Sequence, residues 1–472
     1  MSAENTGERS LGADEDERLR LLQETDLPLW LERAGAMCQR MNANPTTAER
    51  LLSLRPSQKP VTRTLLIEHA RAIGDHLCRR AITHEDVVVW MSPMLVKRAT
   101  EWALRPINSD WYDGIAGIAL FLGYLGFITG ERQYSTLARL AVRSVRFKIE
   151  QLRDYRGRIG AIVCVTLRSA MYLLTHLGSL WNDEELLREA VTLVENFPEL
   201  ITQDKTLDII NGTAGVIVSL LGLHTCIPSS PCLEVAQLGG EHLLTQARKM
   251  KQGWGWQTIP GFPPLTGMSH GAAGIAYSLF WLAAVSRQER FHAMALEGLA
   301  YERDLYSPEQ KNWPHLLESE QSESQGKNGQ RFRYFWCHGA PGIGLARLAS
   351  LPYLHDELMG EEIEAALQTT LARGFGHNHS LCHGDFGNLE TLLLASQTLY
   401  PVYKKLVEQI TAMLVESIPV SGWVCGAPLG IETPGLMRGL AGIGYQLLRL
   451  AAPEKVPSVL LFAPPAGQRS IP

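Results

Sequence analysis

The chain has 472 residues, 45% of them hydrophobic and 20% charged, with a formal net charge of −5. This is the composition of a globular protein with room for one large domain or two to three average ones, and the acidic balance excludes a basic nucleic-acid footprint. Eight cysteines in so long a chain do not suggest a disulfide scaffold and point to reduced thiols or metal ligands.

Residues 1–61 read as a tail or linker. Asp14–Leu22 and Leu29–Arg40 have helical character, but the polar run Asn42–Pro60 is broken by Pro45, Pro56 and Pro60. The first 20 residues carry six carboxylates and no apolar core of signal-peptide length, so a cytoplasmic location is expected. The longest uncharged apolar stretch, Gly114–Gly130, falls short of the roughly 20 residues that cross a bilayer, and no transmembrane segment is predicted.

From residue 62 to 472 one short pattern returns seven times, a Gly-x-x-Gly opening an apolar run. The pairs are Gly114/Gly117, Gly157/Gly160, Gly212/Gly215, Gly271/Gly274, Gly339/Gly342, Gly384/Gly387 and Gly439/Gly442. Their first glycines stand 43, 55, 59, 68, 45 and 55 residues apart, room for two helices per interval. Between them lie amphipathic segments such as Glu184–Asn196 and Glu361–Arg373, apolar at i, i+3 and i+4. Each unit therefore reads as one buried apolar helix and one charged-faced helix that coats it. Seven pairs closed in a ring make an all-α fold, an α/α toroid with the glycine pairs at the inner-helix starts. Gln321–Gln330 is a polar loop between the fourth and fifth units.

The position before each first glycine is polar in all seven units: Asp113, Arg156, Asn211, His270, His338, His383 and Arg438. Helix capping accounts for Asp113 and Asn211, but histidine and arginine are poor caps. In a toroid these positions converge on one mouth of the axis and make a pocket. One residue further back, units five and six both place a cysteine, Cys337 and Cys382. With His383 they form a Cys, Cys, His set, the ligand number of a catalytic zinc site with its fourth place open. The competing reading is two buried thiols in a capped turn. Cys38, Cys78, Cys164, Cys226, Cys232 and Cys425 share no such register. His379 could orient a metal ligand from behind or be a core residue. Asp208, four residues before Gly212, is a cap or a second pocket carboxylate.

These motifs resemble the lanthionine synthetase cyclase (LanC-like) family, and within it the cyclase half of the bifunctional class II, LanM-type enzymes. The resemblance rests on Asp208-x-x-x-Gly212, Ser269-His270-Gly271, Trp336-Cys337-His338-Gly339 and Cys382-His383-Gly384, in that order, and on the stretches from Trp111, Asn378 and Val456. It implies a seven-fold α/α toroid holding Zn2+ through Cys337, Cys382 and His383. The implied reaction adds a cysteine thiol of a dehydrated precursor peptide to dehydroalanine or dehydrobutyrine, closing a thioether ring. His270 is then the acid/base, Asp208 the carboxylate that orients it, and Arg333 the cation for the enolate. Trp336, His338 and Asp113 fall at the pocket, His338 where some relatives have tyrosine. A monomer is expected. A LanM-type dehydratase domain has no room in this chain, so dehydration is assigned to a separate partner or to a removed domain. The alternatives are a carbohydrate-active enzyme on a related toroid, with paired carboxylates and no metal, and a non-catalytic glutathione-binding relative. A prenyltransferase-type toroid uses a different zinc set and a second subunit.

Overall fold

A computed structural model describes residues 61–96, 101–153, 160–228, 230–317, 331–354, 356–398, 401 and 403–467. The tail expected over 1–61 (but for its last residue), the pair members Arg156 and Gly157, and the loop Gln321–Gln330 lie outside the described residues.

Among the described residues seven largely buried helices form an inner ring: α2 (Ile115–Thr129), α4 (Gly160–Trp181), α7 (Thr213–Cys226), α9 (Ala272–Ser286), α11 (Ala340–Ser350), α13 (Asp385–Thr398) and α15 (Leu440–Ala451). They are buried over most of their length and circumference, as α2 shows, buried continuously from Ile115 to Gly126. Burying one Leu, Ile or Phe side chain stabilises the fold by roughly 1.5–3 kcal/mol, so such a helix has no stable position outside a second layer. That layer consists of α1 (Arg63–Arg79), α3 (Arg132–Arg153), α5 (Glu184–Thr192) with α6 (Phe197–Gln203), α8 (Ser230–Gln246), α10 (Glu289–Leu305), α12 (Glu357–Arg373) and α14 (Tyr403–Ser421). The amphipathic segments read from sequence fall in α5 and α12. Asp183 and Asp356 cap their N-termini by accepting from Glu185 N and Leu186 N, and from Leu358 N.

Each inner helix packs on the next around the ring, and α15 packs on α2 to close it. Six inner helices pair with the outer helix that follows them in sequence. The seventh pair joins α15 to α1, so it is built from opposite ends of the described chain. His76 Nε2 and Glu432 Oε1, 2.7 Å apart, fasten this seam.

The glycine pairs act through close approach. A Cβ on Gly117, Gly215, Gly274, Gly342, Gly387 or Gly442 would collide with the carbonyl oxygen six residues earlier, where the incoming loop folds over the helix start. Gly339 adds a backbone requirement, with φ at +95°. The capping expected of Asp113 and Asn211 is not what the chain uses. The N-caps of α2 and α7 are the glycines themselves, without a side-chain cap. The two polar residues stand one position earlier and are turned toward the mouth.

Among the described residues three short antiparallel hairpins interrupt the helices: β1 (Ile82–His84) with β2 (Val87–Val89), β3 (Met91–Val96) with β4 (Glu101–Pro106), and β5 (Arg248–Lys249) with β6 (Trp254–Gly255). Among the described residues one helix, α4, is long and apolar enough by length and composition alone to cross a membrane, but 78% of that stretch is buried in the ring. After α15 the chain turns back into the ring axis. Tyr277, Tyr445 and Arg449 hold it there by donating to the carbonyls of Leu461 (3.1 Å), Pro457 (2.9 Å) and Val456 (3.0 Å). Phe462, in the left-handed conformation at φ 50°, stacks edge-on against Trp111 with 4.6 Å between centroids.

Candidate active site

At the N-terminal end of the inner helices lies a cavity of about 670 Å³. It is lined by Asp113, Asn211, His270, His338 and Arg438, which stand just before the first glycine, and by Tyr112, Ile210, Ser269, Cys337 and Cys382 one place further back. Backbone hydrogen bonds explain the convergence. Ser269 N donates to Cys337 O (3.3 Å), Cys337 N to Cys382 O (3.2 Å), Cys382 N to Met437 O (2.9 Å) and Met437 N to Tyr112 O (2.6 Å). Equivalent positions of successive units are thus stitched edge to edge around the mouth.

Cys337 and His383 stand on either side of Cys382. Cys337 hydrogen-bonds Cys382, and that bond, with further ones from His383 and Tyr112, holds the Cys382 thiol well below the ordinary range despite burial. The same bond and burial hold Cys337 well above it. Tyr112 donates its hydroxyl to Cys382 Sγ at 2.8 Å. His383 Nε2 donates to the Gly426 carbonyl at 2.7 Å, which leaves Nδ1 as the acceptor nitrogen. Burial alone would lower the His383 pKa, but its bond and charge interaction with Cys382 raise it. Among the described residues no three His, Cys, Asp or Glu side chains are arranged as a metal cage. Cys382 hydrogen-bonds both Cys337 and His383. As a donor set they suit zinc: two sulfurs, one imidazole nitrogen in a fixed tautomer, and a hydroxyl and a carbonyl behind them.

His270 faces the cavity with Asp208 directly behind it. Its Nδ1 donates to Asp208 Oδ2 at 2.6 Å, and the carboxylate is 0% exposed. Asp208 Oδ1 accepts from Ile210 N (2.9 Å) and Asn211 N (2.7 Å), so its orientation is fixed by its own turn. That turn is held in place by Arg168, buried in α4, whose guanidinium donates to the Ile209 carbonyl at 2.9 Å and to that of Ile210. Burial alone would lower the His270 pKa; the charge and hydrogen bond of Asp208 outweigh it and raise the value. Asp208 therefore reaches the cavity only through His270.

His338 sits between His270 (6.0 Å) and His315 (4.4 Å), centroid to centroid. Burial and the neighbouring charges of His315, His270 and Arg333 push its pKa down to about 3. Asp113 is ion-paired with Arg438, so the starts of α2 and α15 meet at the cavity wall. Two expected pocket residues stand elsewhere. Trp336 is fully buried behind the wall, because its carbonyl packs onto Gly342 and turns the indole into the core. Arg333 is exposed and does not line the cavity; its backbone carbonyl accepts from Asn312 Nδ2 at 2.9 Å. His379 is buried and acts on the loop behind the site, with Nδ1 accepting from Val424 N at 2.9 Å. Tyr112, His315, Arg168 and the Gly426 carbonyl were not assigned from sequence. Tyr112 was within reach, since it shares the register of Cys337 and Cys382.

The chain belongs to the lanthionine synthetase C-like family, whose model matches residues 105–461. Among individual relatives, it is 22% identical over 385 residues to the lacticin 481/lactococcin biosynthesis protein LcnDR2 of Lactococcus lactis subsp. lactis. That alignment takes in 78% of this chain but only 38% of the relative. The fold is shared with nisin cyclase, at a TM-score of 0.59 and 15% identity, over 85% of this chain and 98% of the cyclase. A more distant match is the GH76A alpha-1,6-mannanase of Salegentibacter sp. HEL1_6, at a TM-score of 0.45 and 13% identity over 82% and 98% of the two chains.

Proposed function

We propose that this chain is a zinc-dependent lanthipeptide cyclase, adding cysteine thiols of a dehydrated precursor peptide to dehydroalanine or dehydrobutyrine. The observation that carries the reading is the cavity that brings Cys337 and Cys382, the latter hydrogen-bonded to His383, together with an imidazole backed by a buried carboxylate. Bound zinc would supply a Lewis acid that lowers the pKa of a substrate thiol.

The chain's own part is binding, orientation and proton handling. Tyr112 and the Gly426 carbonyl fix the Cys382 and His383 donors. Asp208 keeps the proton on His270 Nδ1, so Nε2 is the atom that faces substrate. There it can take the thiol proton and return one to the α-carbon once the C–S bond has formed. The raised His270 pKa supports the acid half of that cycle at neutral pH. The Arg333 role at the enolate has no support from its place outside the cavity. The same applies to Trp336 as a contact residue.

The carbohydrate-active reading fares worse. Asp208 is buried behind His270, Asp385 is buried against Gly376 N and His377 N, and Asp113 is paired with Arg438. No two of these face each other across the cavity. The glutathione-binding reading shares the metal set, so metal content cannot separate it from a cyclase. Incubation with a linear dehydrated peptide containing cysteine does. Thiol loss above the uncatalysed rate, with one zinc per chain, supports the cyclase; thiol loss at the background rate overturns it. The dehydratase partner and a monomeric state belong to the same proposal, and sedimentation tests the latter.

A further inference from the structure

Eight large hydrophobic side chains are exposed among the described residues; two of them line the cavity mouth and two more are close in sequence to residues that line it. Met94 (42% exposed) and Trp102 (38%) line the cavity mouth. Leu429 (43%) follows Pro428, which also lines it, and Ile162 (56%) lies one helical turn before the lining residue Val165. Exposed apolar side chains at the mouth of a polar cavity mark a contact face.

The local backbone supports a function for it. Ser92, Pro93 and Met94 are consecutive in β3 and all reach the cavity, so the hairpin meets the mouth with a strand edge and not with one face. On the other side a turn is closed by Gly430 N donating to Ala427 O at 2.9 Å. It holds Leu429 at φ 62°, a left-handed conformation that leucine adopts only under strain. A strained leucine aimed at solvent beside the site has no packing role that repays the strain.

We propose that Met94, Trp102, Leu429 and Ile162 form an apolar collar that docks hydrophobic residues of the precursor peptide flanking the reacting positions. The proposal rests on the cyclase reading for the identity of the occupant. A cavity of about 670 Å³ admits a side chain and a short extended segment, not a folded partner. Whatever covers the collar must also leave the route to Cys337 and Cys382 open. A peptide threaded across the mouth does so, whereas a second copy of the chain would seal it.

The test uses two synthetic linear peptides, each with one cysteine and one dehydroalanine, flanked by leucine and phenylalanine in one and by serine in the other. Wild type should favour the apolar-flanked peptide in kcat/KM. Trp102→Ala with Met94→Ser, and separately Leu429→Gly, should reduce that preference five- to twentyfold through KM. Leu429→Gly relieves the strain and should melt no lower than wild type, which separates docking from folding. Phe127→Ser, on an exposed site elsewhere, should keep the preference. An unaltered preference in the collar variants overturns the proposal, as does a dimer in sedimentation that Trp102→Ala dissolves. Binding of the apolar-flanked peptide with alanine in place of dehydroalanine is read by anisotropy. If wild type turns over neither peptide yet binds this one through the collar, the cyclase reading fails and the collar stands.

Discussion

Asp208→Asn tests the acid/base assignment without disturbing the metal donors. The amide oxygen can still accept from Ile210 N and Asn211 N, so the turn before α7 keeps its shape. What disappears is the negative charge 2.6 Å from His270 Nδ1. Burial, the largest influence on the imidazole, is then opposed only by the charge of Cys382 and favours the neutral form. A hydrogen bond to a charged group is worth roughly 1.5–3 kcal/mol. Its loss in the transition state corresponds to about a ten- to hundredfold lower rate at pH 7. The assay follows thiol loss from a dehydrated cysteine peptide between pH 5.5 and 8.5, with metal content measured on the same samples. The depressed rate should recover partly toward low pH, where His270 regains its proton, while zinc content stays at the wild-type level. A variant that matches wild type within about twofold over that range would refute the role of the pair.

Cys337→Ala should lose zinc by elemental analysis. His270→Ala should retain it and cyclise about 10²- to 10⁴-fold more slowly, the usual contribution of a positioned acid or base. Gly442→Ala places a Cβ against the Leu436 carbonyl at the ring's closing helix and should cost about 1–3 kcal/mol in urea unfolding. Arg168→Met leaves the Ile209 and Ile210 carbonyls without their buried donor, at a cost of about 2–4 kcal/mol, and should also lower the rate by loosening Asp208. His176 and His379 are buried, with pKa values pushed down to about 3 and about 4 by desolvation. The unfolded chain binds their protons first, so each contributes stability that is present above an unfolded pKa of about 6.5 and lost as pH falls, by up to about 1.4 kcal/mol per pH unit. Urea midpoints should drop from pH 7 to pH 5, and an unchanged slope in His176→Gln would remove that histidine from the account.

The repeat was legible because its cause is local. Each inner helix starts where a loop carbonyl lies against a glycine, and that requirement repeats wherever the geometry repeats. The polar residue before each pair was equally visible, and five such positions do line the cavity. What each does there was not readable, because it depends on neighbours from other units. Asp113 looked like a cap until Arg438 from the seventh unit was placed beside it. Trp336 and Arg333 flank Cys337 in sequence, but the tight fold over Gly342 sends one inward and the other outward. The Gly426 carbonyl has no side chain to betray it. The hairpin of β3 and β4 was missed because its strands are short and lack a sustained alternation of polar and apolar residues.

The pairing of α15 with α1 gives the ring a property that open helical arrays lack. A solenoid needs special end repeats to shield its terminal faces, whereas here every inner helix has a neighbour on both sides. That completeness arrives late. The seam between His76 and Glu432 spans 356 residues of sequence. During synthesis α1 emerges before the inner helices, with its apolar face exposed, and can be covered only after α15 has left the ribosome. Six helix pairs can form as they appear; the seventh makes the circle an all-or-none event, and the cavity walls that meet at Asp113 and Arg438 come into being with it.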